Sequence, residues 1–275
     1  MPTPFNHVAL ALKVLDAPEL SSAARHTLTP SQPAFLLGNT APDYGTLFDL
    51  PRATGHFFEV PIRRPEPAHL RVLQLFPALG KPSQLPDDQA AFLAGYLAHL
   101  WLDQLWILEV FGPVFGPEVH RGSFRQRLLA HNLLRAHLDR RDRLSLPGET
   151  NLWLHLARPA HWLPFAEDQA IAAWRDHLAA QLDPGGHSRT VSVFAQRHGI
   201  SSTSFLAQLD SPERMEEAVF SHIPKSEVDR LFEGWTAGTI ELVNFYLAGN
   251  LQDAPHVSRP LAEQARPAHA REVGG

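Results

Sequence analysis

The sequence contains no cysteine. Disulfides are therefore excluded, and so are the thiolate zinc sites that close many small domains. A broad basic field is also missing: the formal net charge is −5 and the pI is near 6.3. Proteins that hold nucleic acid by counterion release need a surplus of Lys and Arg, so stable nucleic-acid binding is not expected. No uninterrupted apolar run approaches the roughly 18 residues that mark a membrane span, and no transmembrane segment is predicted. The opening residues, MPTPFNHVALALKVLDAPEL, have no basic start, and His7 and Lys13 break the apolar run. No signal peptide is read there, and the cytoplasm is the expected location. Nor do two alternating runs joined by a hairpin turn occur anywhere.

What is present suits a packed, helical chain. Hydrophobic residues make up 44% and charged residues 19% of the 275, enough to bury a core. Apolar residues recur at helical spacing over 5–16, 67–79, 85–112, 122–144, 150–158, 165–183, 190–200, 201–223 and 225–250, with shorter helices near 18–26 and from about 32. Gly112-Pro113 reads as the stop of the 85–112 helix, and Ser226 as a cap for the last one. Residues 46–66 read as loop. The fold class is all-α, a multi-helical single domain over 1–250. Residues 251–275 are rich in Pro, Ala, Arg and Glu without a periodic apolar face, and are expected to lack ordered structure.

Histidine is plentiful, with sixteen against three tyrosines and two methionines. In GYLAHLWLDQLW, His99 and Asp103 stand four apart, so they share one face of a helix, about 40° apart. Their neighbours are apolar, so that face is buried. A buried His–Asp hydrogen bond would satisfy the pair, and so would a shared cation, since imidazole nitrogen and carboxylate oxygen at this spacing can grip one ion. Further ligand types occur upstream: His7 on the first apolar helix, Asp43 in the turn GNTAPDYG, and His56 before two aromatics in ATGHFF. Each has an ordinary structural use, as a core histidine, an Asx turn or a loop residue. Together they make three His and two Asp, a donor set suited to Zn²⁺.

The ordered series His7, FLLGNTAPDYG, HFF and AGYLAHLWLD, spanning roughly residues 1–110, resembles the zinc-dependent phospholipase C family. That family's all-α fold is shared with the S1/P1-type nucleases. The resemblance implies that Asp43, His56 and His99 hold one zinc and that Asp103 bridges it to a second, which His7 also binds. It implies a metal-activated water attacking a phosphoester in line, with Asp43 orienting that water or taking its proton. Three departures stand out. The family's secreted members use their mature N-terminal residue as a ligand through its amine and carbonyl, and His7 lies too close to the start of this sequence to copy that spacing. The family has a histidine six residues after the bridging aspartate, where this chain has Glu109. Its later H-x-x-x-E or H-x-x-x-D pair is also missing, because in the 122–144 helix Arg135 follows His131 and Arg141 follows His137 at that spacing. Glu109 and His131 remain further metal candidates, and one or two zinc ions are expected. The implied function is a zinc-dependent phosphoester hydrolase acting on a lipid or small-molecule phosphoester. The alternatives are an S1/P1-like nuclease and a non-catalytic protein of the same fold with a structural metal or an interaction role.

Overall fold

The computed structural model describes residues 1–63 and 66–264. Every regular element among them is helical, as the missing hairpin pattern implies. In chain order the helices are α1 (Pro4–Asp16), α2 (Ser22–Leu28), α3 (Gln32–Gly38), a 3₁₀ turn (Ala41–Leu47), α4 (Ala53–His56), α5 (Ala68–Leu75), α6 (Asp87–Trp106), α7 (Phe124–Ser145), α8 (Thr150–Leu156), α9 (Asp168–Leu182), α10 (Thr190–His198), α11 (Ser202–Leu209), α12 (Pro212–Met215), α13 (Lys225–Leu247) and α14 (Leu261–Gln264).

The centre of the molecule is α6. Its sequence is apolar on all sides, so it packs within the protein, with α3, α5 and α13 around it. By length and composition Asp87–Phe115 could cross a membrane, yet 94% of its most apolar stretch is buried inside the protein. Two glycines let α3 and α6 touch backbone to backbone. A Cβ on Gly38 would lie 2.0 Å from the Phe92 carbonyl oxygen, and one on Gly95 would lie 2.4 Å from that of Phe35. This close crossing sets α3, and the turn that follows it, directly against the His99 face.

Four expectations change. Gly112-Pro113 does not stop the helix. The chain widens into a π-helix over Ile107–Phe115 that carries Pro113 within it, because the looser turn makes room for the ring. Ser226 lies inside α13, whose N-cap position is Pro224. The stretch 46–66 contains α4. The tail is packed over 251–264: Leu251, Val257 and Leu261 are buried. Side chains hold it there, since His69 Nε2–H donates to the Val257 carbonyl (3.1 Å) and Trp101 Nε1–H to Gln264 Oε1 (2.6 Å). Such single anchors along irregular chain leave no periodic signal. The remainder of the expected tail, 265–275, lies outside the described residues.

Candidate metal centre

Each site residue is placed by a local device. On α1, the Asn6 side chain accepts from the Thr3 backbone N–H (2.8 Å) and donates to Asp142 Oδ2 on α7 (2.7 Å), which fixes the rotation of the helix beside His7. After α3, the Thr40 carbonyl accepts from Trp174 Nε1–H (2.8 Å), and the 3₁₀ turn carrying Asp43 follows. The short α4 is pressed onto that turn. A Cβ on Gly55 would come within 2.5 Å of the Pro42 carbonyl oxygen, and the Tyr96 hydroxyl of α6 donates to the Gly55 carbonyl. His56, the next residue, is thereby brought to Asp43. Phe57 then adopts a left-handed backbone (φ 59°), a conformation that costs an ordinary residue about 1–2 kcal/mol, and the chain turns away from the site.

These devices bring His7, Asp43, His56, His99 and Asp103 together from four segments. His7, His99 and Asp103 form one group and Asp43, His56 and His99 another, with the ligand atoms of each group within 4.8 Å of one another. His99 is common to both groups, and Asp103, of the first, also reaches His56 of the second. Its Oδ1 is 3.4 Å from His7 Nε2, while its Oδ2 is 3.4 Å from His56 Nε2 and 3.3 Å from His99 Nε2. Asp43 Oδ1 is 3.3 Å from His56 Nε2. The His7 and His99 rings stack with centroids 3.9 Å apart.

The donor atoms are oriented for a cation. His99 Nδ1–H donates to the Asn39 carbonyl (2.8 Å), and His56 Nδ1–H to the Arg52 carbonyl (3.3 Å). Both bonds leave Nε2 facing the cluster, the usual support for a metal-ligating histidine. The two Nε2 atoms are 3.2 Å apart. His7 Nε2 and Asp103 Oδ1 are buried and have no hydrogen-bond partner. Unpartnered buried polar atoms are costly, and a cation placed among them would remove that cost. The residues therefore fit zinc: nitrogen and oxygen donors, converging, with free lone pairs.

Protonation follows from the same packing. Burial, and then the neighbouring His99, lower the pKa of His7 to about 4, so it is neutral near pH 7. Burial works against a charge on His99, but the Asp103 carboxylate outweighs it and the net shift is upward. Burial likewise works against ionisation of Asp43 and Asp103. Neighbouring histidines overcome it at both, with Arg52 adding to the effect at Asp103, and both carboxyls are held below the usual range.

The two later candidates stay out of these groups. Glu109 Oε2 accepts from Trp235 Nε1–H (2.9 Å), and His131 Nε2 accepts from Trp106 Nε1–H (2.9 Å) amid the rings of Phe111 and Phe115. Glu109 Oε2 and His131 Nε2 are thus each engaged by an indole. A residue missed in the sequence is Arg52, whose guanidinium bonds Asp103 Oδ2 and lies 3.9 Å from Asp43 Oδ1. Arg52 stands one helical turn before His56, but the stretch reads as loop in the sequence, so that spacing gave no signal. Beside α4 a cavity of about 330 Å³ is lined by Ala53, Phe57, Phe58, Ile62 and Arg71, among others. Phe58 meets His56 edge-on at 6.0 Å.

Compared with known families, residues 3–161 match the one described as zinc dependent phospholipase C. Neither the curated proteins nor the solved structures gave a match.

Proposed function

Because the chain belongs to the zinc-dependent phospholipase C family, we propose that it is a zinc-dependent phosphoester hydrolase with water as its nucleophile. The observation that carries this reading is the Asp103 carboxylate, one oxygen turned to His7 and the other to His56 and His99. His99 offers a single Nε2 to the cluster, so it serves one ion. Asp43, His56, His99 and Asp103 Oδ2 would hold that ion, and His7 with Asp103 Oδ1 a second. Zinc bound there supplies a Lewis acid that lowers the pKa of water and offsets charge on phosphoryl oxygens.

The chain's own residues do the rest. The Asn39 and Arg52 carbonyls keep His99 and His56 in the tautomer that presents Nε2. Asp43, with its side chain 16% exposed against 1% for Asp103, is the carboxylate nearest solvent. Its depressed pKa makes it an acceptor that orients the attacking water rather than a lasting store for the proton. The cavity beside Phe58 takes the leaving group.

The test has two stages. Zinc content of the purified protein is measured first, and about one or two ions per chain are expected. Hydrolysis of a phosphodiester, a phosphomonoester, a phosphocholine ester and single-stranded nucleic acid is then compared. Turnover of the first or third, abolished by chelator and restored by zinc, supports the reading. Turnover confined to nucleic acid would move the protein to the nuclease alternative, and zinc without any turnover would make it a structural-metal protein.

A further inference from the structure

Among the ligand candidates sits a positive charge. Arg52 Nη2 bonds Asp103 Oδ2, the same oxygen that faces His56 and His99, and Nη1 lies 3.9 Å from Asp43 Oδ1. Both carboxylates that zinc needs are thus shared with a guanidinium. The hold is one-sided. The Nη1 contact is too long for a direct hydrogen bond, and Nε is buried with no partner. The guanidinium lies over the Phe58 ring, 5.1 Å from its centroid, and the side chain is 25% exposed. Phe58 also lines the cavity beside α4, so the guanidinium stands at the edge between cluster and cavity. Its backbone is fixed, because the Arg52 carbonyl accepts from His56 Nδ1–H (3.3 Å). The head group is held by one ionic bond and is partly exposed, while the backbone carbonyl of the same residue supports a ligand histidine.

We propose that Arg52 is an exchangeable cation. In the metal-free protein it is bonded to Asp103 and lies beside Asp43. When zinc enters it gives up Asp103 Oδ2 and turns its fork to the phosphoryl oxygens of the substrate. The proposal rests on the zinc hydrolase reading. A doubly charged ion and a guanidinium on one buried carboxylate oxygen repel each other strongly at low dielectric. Once zinc has taken up the carboxylate charge, the anion within reach is the phosphoester. Arginine is the side chain best shaped to grip its oxygens in pairs.

The experiment measures two affinities in the wild type, Arg52→Met and Arg52→Lys: zinc by competition with a chelating dye, and inorganic phosphate by calorimetry on the zinc-loaded proteins. Arg52→Met is expected to bind zinc about tenfold or more tightly, since no charge-assisted bond must first be broken. The same variant is expected to bind phosphate about tenfold or more weakly, with Arg52→Lys recovering part of the loss. A purely structural arginine would not move these affinities in opposite directions. Unchanged or weakened zinc binding in Arg52→Met overturns the exchange, and unchanged phosphate binding overturns the anion contact. Both results leave the hydrolase reading standing. A wild type that takes up no zinc sinks the reading and the proposal together. If Arg52→Met fails to fold, Arg52→Gln, which removes the charge and keeps a polar head group, supplies the same comparison.

Discussion

Two regions of α6 and its π-helical extension bury polar side chains of the same kinds, and they treat them in opposite ways. At Glu109 and against His131, each buried acceptor faces an indole N–H at 2.9 Å. At His99 and Asp103, ligand-type atoms converge without such pairing: two imidazole Nε2 atoms lie 3.2 Å apart, His7 Nε2 and Asp103 Oδ1 have no hydrogen-bond partner although 3.4 Å apart, and the donor on the other Asp103 oxygen is a cation, Arg52. Burial alone therefore does not separate a ligand from a structural histidine or glutamate. The partner does. A buried acceptor met by a neutral N–H needs nothing more, while converging ligand atoms left unpartnered beside a carboxylate call for a cation.

The strongest way to break this contrast is Asp103→Asn. The amide keeps the shape and removes the charge of the carboxylate that turns one oxygen to His7 and the other to His56 and His99. Zinc affinity is expected to fall by more than the roughly 10- to 100-fold that altering an outer partner of a ligand costs. Metal analysis after dialysis reads the outcome. A variant that keeps its full zinc content would place the metal elsewhere.

A second test uses a histidine outside the cluster. Burial lowers the pKa of His69 to about 3, although its bond to the Val257 carbonyl works the other way. Between pH 3 and 6.5 the unfolded chain holds a proton on this residue that the folded chain refuses. Stability from this residue is therefore complete above pH 6.5 and lost as pH falls. The depth of that loss is roughly 3–5 kcal/mol at the acid end of the window. Urea unfolding of the chelator-treated protein at pH 7.5, 6, 5 and 4, beside His69→Gln, isolates it. The variant's stability should fall less steeply with acid. Parallel curves would mean that His69 contributes nothing to the slope.

The sequence disclosed most of this for identifiable reasons. Helices such as α7 and α13 lie where the periodicity puts them, because each keeps a packed face, and α6 stood out by being apolar all round. The five ligand candidates were legible because ligand types are rare on apolar faces and in short turns. The contacts that complete the site were hidden. Asn39 acts through its backbone carbonyl, which any residue possesses. Arg52 stands in a stretch read as loop, and its pairing with Asp103 spans 51 positions. The tail segment 251–264 is tied down by single side chains and has no period to detect. The widening at Ile107–Phe115 needs the packed neighbours of α6 to be known.

A third test sharpens the comparison with matched glycines. A Cβ on Gly95 would lie 2.4 Å from the Phe35 carbonyl oxygen and 2.7 Å from Asn39 Nδ2. On the other side of α6, a Cβ on Gly238 would lie 2.2 Å from the Trp101 ring. Both glycine-to-alanine changes overpack the core and should cost about 1–3 kcal/mol. They should differ in zinc binding. Gly95→Ala displaces Asn39, whose carbonyl orients His99, and should weaken zinc about tenfold. Gly238→Ala should leave zinc affinity as it is. Equal zinc affinities in the two variants would show that the α3–α6 crossing does not set the ligand geometry.

The smallest expected effect is at Glu109→Gln, and it tests the indole-satisfied side directly. Glutamine keeps a carbonyl oxygen for the Trp235 N–H and removes only the charge. The hydrogen bond weakens from charge-assisted to neutral, so the loss in stability should be about 1 kcal/mol. Zinc per chain should not change, because the Glu109 oxygen that meets the indole is already used and Glu109 belongs to neither donor group. A fall of one ion per chain would make Glu109 a ligand in the metal-loaded protein. It would then replace the histidine that the family carries six residues after its bridging aspartate. In that event the indole contact would be what the metal displaces, and the division between the two regions of α6 would hold only for the metal-free state.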